Sequence, residues 1–115
     1  MIRIGEFKPQ GDGFRGRLTT LGFNAELTII PASRSASPNA PDYRIHAGSS
    51  AEDREIGAGW SHTGERAGPY LALLIDDPQL PRAIRANLFG PSREGDPHLL
   101  FWQRRQRRRD AEQPQ

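Results

Sequence analysis

Cysteine is absent from the chain, which removes disulfides and every thiolate metal site at once. Lysine is nearly absent as well: Lys8 is the only one among 16 basic residues. An arginine-coding bias of a GC-rich genome accounts for that preference, so arginine usage alone does not point to phosphate recognition. No apolar run is long enough for a membrane helix. The start, Met1-Ile2-Arg3-Ile4-Gly5-Glu6, has no apolar core of a signal peptide, so a cytoplasmic location is expected.

Catalytic patterns are missing too. Asp76 and Asp77 are adjacent, so on a strand they face opposite ways and do not share a substrate as an acid/base pair. Pro78 after them marks a turn. There is no G-x-S-x-G pattern. His46, His62 and His98 stand apart, without the spacing of a zinc site. Gly11-Asp12-Gly13 and Gly57-Ala58-Gly59 lack the following helix that a phosphate-cradling loop needs. The chain is therefore expected to be non-enzymatic, with no metal and no cofactor.

What is present is two-residue alternation. Its 115 residues are the size of one domain, and 12 Gly with 10 Pro favour many turns between short elements. Phe23, Ala25, Leu27 and Ile29 alternate with Asn24, Glu26 and Thr28, the pattern of a strand with one buried and one wet face. Similar segments lie at Ile2–Phe7, Phe14–Leu21, Tyr43–Ala47, Glu55–Trp60, Ile84–Phe89 and Leu99–Trp102. Tyr70–Ile75 is apolar in both phases, which marks it as the most central strand. Gly57 and Gly59 are expected to admit a neighbouring backbone or ring, and residues 78–82 to form a short 3₁₀ turn.

The expected fold is all-β: a small antiparallel barrel or strongly curved sheet of about seven strands. It occupies residues 1–103. Residues 104–115 form a basic tail expected to be disordered, with Arg104, Arg105, Arg107, Arg108 and Arg109 against Asp110 and Glu112.

Three binding signals follow. The arginine run directly follows Phe101-Trp102, which couples phosphate neutralisation to a ring that stacks on an unpaired base. Trp60, Tyr70 and Trp102 are the large amphipathic rings, though at strand positions such rings are commonly core. Arg44 with His46, and Arg15 with Arg17, occupy polar strand faces; were those faces to adjoin, with Arg82 and Arg85 nearby, they would make a basic surface. The candidate binding residues are thus Arg44, Trp60, Tyr70, Arg85, Trp102 and the tail arginines. The expected partner is DNA or RNA; the alternative is a protein, contacted through a sheet edge or the 32–41 loop. Oligomeric state is left open.

Several motifs in order, Ile4-Gly5-Glu6-Phe7, Gly13-Phe14-Arg15-Gly16, Asn39-Ala40-Pro41-Asp42-Tyr43-Arg44, Ile56-Gly57-Ala58-Gly59-Trp60, Tyr70-Leu71 through Asp76-Asp77-Pro78, Ala86-Asn87-Leu88-Phe89 and Phe101-Trp102-Gln103-Arg104-Arg105, resemble the bacterial DUF736 family. The resemblance covers about Ile2 to Arg109. It implies a short protein of unknown function, often carried by plasmids and integrative elements, hence an accessory protein of a mobile element. The alternative role is a regulator or inhibitor of a host defence or DNA-transfer protein. No catalytic residue comes with the resemblance. Ser33–Pro38 and Gly48–Arg54 look longer than the family's usual loops.

Overall fold

Burial follows the alternation except at two residues expected on polar faces: Thr28, whose hydroxyl donates to the Gly48 carbonyl (2.8 Å), and His46 are both buried. In the computed structural model, which describes residues 2–33, 38–49, 54–66, 68–78, 80–91 and 93–103, eight strands run β1 (Ile2–Gln10), β2 (Gly13–Thr19), β3 (Asn24–Pro31), β4 (Tyr43–Ala47), β5 (Glu55–Gly64), β6 (Gly68–Ile75), β7 (Ile84–Phe89) and β8 (His98–Trp102). Each pairs antiparallel with its neighbours in sequence, and β8 returns to β1, closing a barrel. Closure decides between the two expected architectures. All eight segments picked out by alternation form strands, close to the expected count, and the five-residue β8 joins the edges. No helix among the described residues is long and apolar enough to cross a membrane.

An eight-stranded barrel is just wide enough for side chains to fill. Here Phe7, Leu27, Ile29, Ile45, Ile75 and Leu100 are fully buried in the interior. Each such side chain contributes about 1.5–3 kcal/mol through burial. A Cβ at Gly57 would lie 2.3 Å from the Leu74 carbonyl oxygen of β6, so the missing side chain lets β5 and β6 approach. The β1–β2 turn uses positive φ at Gly11 (60°), whereas Gly13 already opens β2. Pro9 is accommodated in β1 because β8 pairs no further along β1 than Phe7.

Two expectations change. β5 continues past the expected end at Trp60 to Gly64, so the connection to β6 is short. Near 78–82 the described residues hold no 3₁₀ segment; Leu80 N–H donates to the Asp77 carbonyl (2.8 Å) in one turn. The Arg54 guanidinium pairs with Asp77, tying that turn to the start of β5.

Candidate functional site

Turns at one end of the barrel connect β1 to β2, β3 to β4, β5 to β6 and β7 to β8; this end is the mouth. The opposite end carries Ile2, Trp102 and the 76–83 turn. Outward-facing residues divide into two surfaces.

On β2, β3 and β4 the outward residues are charged or polar and answer one another. Arg15 Nε donates to Glu26 Oε2 at 2.6 Å, Arg17 Nε to Asn24 Oδ1 at 2.9 Å, and Arg44 Nη1 to Glu55 Oε2 at 2.8 Å. The register explains the pairing: Arg17 lies opposite Glu26, and Arg15 one position further along opposite Thr28. The basic strand faces do not adjoin directly: β3 lies between β2 and β4, and Glu26 and Glu55 sit beside the arginines. The result is an alternating surface, not a basic one. Exposed pairs of this kind contribute about 0–1 kcal/mol each.

The outside of β5 through β8 is different. His62, Tyr70, Phe89 and Phe101 form a row of rings across four neighbouring strands, with centroids 5.7, 5.2 and 5.9 Å apart. The register produces it: His62 lies opposite Tyr70, and Tyr70 opposite Phe89. Their strand neighbours Leu71, Leu88 and Leu100 point into the core, so the rings point out. His62 is exposed, and Tyr70, Phe89 and Phe101 are partly exposed. Ala72, Leu74 and Leu99 surround them, also partly exposed. At the far end of the row Phe101 lies opposite Arg3 on β1. From there a cleft of about 530 Å³ spreads over β1 and β2, lined by Arg3, Lys8, Arg15 and Arg17 together with Glu6. Lys8 has no ion pair among the described residues.

The mouth holds a cavity of about 790 Å³. Phe14 meets His98 edge-on, with centroids 4.9 Å apart at 64°, and lies 6.3 Å from the Tyr43 ring. Leu71 and Leu88 lie beneath, and Ser61 stands at the rim. Burial pushes the His98 imidazole below its ordinary pKa, favouring the neutral ring.

The structure separates the residues expected to act together. Tyr70 stands in the ring row. Trp60 faces outward on the same side, opposite Ala72, and its Nε1–H donates to the Asn39 carbonyl (3.1 Å). Arg85 also faces outward there, opposite Leu74, and is exposed. Arg44 belongs to the ion-paired surface. Trp102 alternates with Phe101 and so shares the inward phase of Leu100; it lies at the end away from the mouth, 38% exposed. Arg82 is exposed in the turn at that same end. Arg104, Arg105, Arg107, Arg108 and Arg109 lie outside the described residues. Phe89, Phe101 and His62 were not singled out by composition or spacing. The signal for them is phase: each lies one residue from a core leucine or at the register partner of Tyr70.

A chain-ordered antiparallel meander, shut into a barrel with rings on its outside, defines a small closed β-barrel class of protein. Within that class the chain belongs to the DUF736 family, whose model, described as "Protein of unknown function (DUF736)", matches residues 3–105. The match spans the barrel and ends inside the arginine run. No curated protein and no solved structure matches the chain.

Proposed function

We propose that this protein is a non-catalytic, cytoplasmic accessory protein that binds single-stranded DNA or RNA across the outside of β5–β8. The observation that carries the proposal is the ring row His62–Tyr70–Phe89–Phe101, spaced at 5.2–5.9 Å on an open sheet surface. Bases expose flat apolar faces only when unpaired, and each base stacked on an aromatic side chain contributes about 1–3 kcal/mol. A duplex hides those faces, so the row favours single strands. Positive charge flanks it: Arg85 on the same surface and, beyond the Phe101 end, Lys8; Arg3 there pairs with Glu6 (3.9 Å). In sequence the tail arginines follow β8, itself part of this surface. They would add phosphate contacts without base preference.

Fluorescence polarisation with labelled oligonucleotides at low salt tests this. Single strands should bind more tightly than duplexes of equal length. Affinity should fall with salt, log K against log[salt] having a slope of about −0.7 per phosphate contacted. Absence of binding, or equal binding of both forms with Tyr70→Ala inert, rejects the proposal.

Leu74, Ala72 and Leu99 around the rings favour a second reading, a protein partner docked on the same surface. Recovery of one discrete partner after nuclease treatment, lost in Phe89→Ala, would replace the first reading with the second.

A further inference from the structure

We infer that the mouth of the barrel is a site for a single unpaired nucleobase, held edge-inward against the ring cluster of Phe14, Tyr43 and His98. This deepens the strand-binding reading and rests on it for how the base arrives. Size comes first: about 790 Å³ lies within the roughly 300–1,000 Å³ of ligand-binding clefts.

Charge comes second. No Arg, Lys, Asp or Glu is among the described lining residues. A phosphate, carboxylate or ammonium entering the cavity would lose water and meet no counter-charge from those residues. They favour a neutral occupant.

Shape and polarity come third. The tilted Phe14, Tyr43 and His98 rings and the prolines Pro69 and Pro91 offer flat surfaces, with Leu71 and Leu88 below. Flat walls over an apolar floor suit a planar ring better than a puckered sugar. Polar groups at the same cavity, the hydroxyls of Ser61, Thr63 and Tyr43 and the His98 imidazole, include both donors and acceptors. A planar, neutral ring with hydrogen-bonding edges is a nucleobase.

Position completes the case. His62 and Tyr70 belong to the outer row and also line the mouth. A strand stacked along the row reaches the rim at these two residues, where the mouth offers its next base a place to stack.

The test uses the full chain, with labelled Leu methyl, His ring and aromatic signals followed by NMR. Adenosine, uridine, ribose and a single-stranded oligonucleotide are added separately. The nucleosides should shift Leu71, Leu88 and His98; ribose should not. The oligonucleotide should shift these and also Tyr70, Phe89 and Phe101. Ser61→Phe places a ring in the mouth from an exposed position and keeps the Ser61 backbone bond to Asp42 (2.8 Å). It should abolish the nucleoside response and weaken the oligonucleotide about tenfold, the share of one stacked base. Thr63→Trp, at a second exposed rim position, should do the same if Ser61→Phe disturbs the amide spectrum.

Mouth signals that ignore nucleosides, or respond equally to ribose, overturn the inference. An oligonucleotide that shifts only the outer rings also overturns it, while leaving the outer-surface reading intact. Nucleosides that fill the mouth while oligonucleotides bind nowhere support the base site and reject strand binding.

Discussion

Around one barrel, the outsides of β2–β4 and β6–β8 meet water in opposite ways. Both alternate with the same apolar interior, and both use extended backbone of similar length. On β2–β4 the outward positions carry arginines, each with an acceptor within 3 Å. On β6–β8 they carry Tyr70, Leu74, Phe89, Leu99 and Phe101, which satisfy one another only partly and stay partly exposed. The lesson concerns where unspent interaction energy lies. Paired surface charges have already met their partners, whereas exposed rings have area left to bury. On the proposed reading, ring phase rather than arginine count points to the binding surface.

The sharpest way to break this comparison is to remove each surface in turn. Replacing both Phe89 and Phe101 by Ala should lower oligonucleotide affinity about 100-fold, two stacked bases in the lower part of their range at about tenfold each. Replacing both Arg15 and Arg44 by Ala should lower it no more than about fivefold, since their charge is already answered by Glu26 and Glu55. Polarisation titrations at one salt concentration measure both, and the reverse order would invert the assignment.

The next largest effect separates charge from rings. Ending the chain after Gln103 should cost about tenfold in affinity at low salt and flatten the salt slope. The preference for single over double strands should survive, because the rings remain. A preference that disappears with the tail would move specificity out of the barrel.

Stability gives a smaller contrast. Arg44→Ala should shift unfolding by no more than about 1 kcal/mol in a urea titration, because its pair with Glu55 is exposed.

Smallest is the effect of pH through His98. Its folded pKa lies below the unfolded value of about 6.5, so the folded state binds fewer protons. Stability from this group should hold above about pH 6.5, decline as pH falls toward the folded pKa, and then level. Unfolding midpoints of the wild type and His98→Asn, compared between about pH 7.5 and 5, isolate that part. A His98→Asn variant that loses as much stability as the wild type on acidification removes His98 as the cause.

Much of the architecture was legible from residue spacing. Phe23–Ile30 alternates in sequence, and β3 buries Leu27 and Ile29 as that alternation requires, while Thr28 of the expected wet face is buried as well. Closure was not legible, because it depends on β8 pairing with β1 across nearly the whole chain, and local periodicity carries no long-range register. Tyr70–Ile75 teaches more. Its apolar residues in both phases predict a central strand, yet a closed barrel has no centre: Leu71, Leu73 and Ile75 fill the core and Tyr70 and Leu74 face out. The second apolar phase is the partly exposed ring surface on which binding is proposed. Trp102 illustrates the converse, since its place beside the arginine run suggests a stacking ring, while alternation with Phe101 turns it inward.

The most direct measurement is an aromatic NMR titration with a single-stranded oligonucleotide, read at Tyr70, Phe89 and Phe101 against the Nε signals of Arg15, Arg17 and Arg44. The account predicts large shifts of the three rings with the three arginines nearly still. Rings that stay put while those arginines move would contradict it.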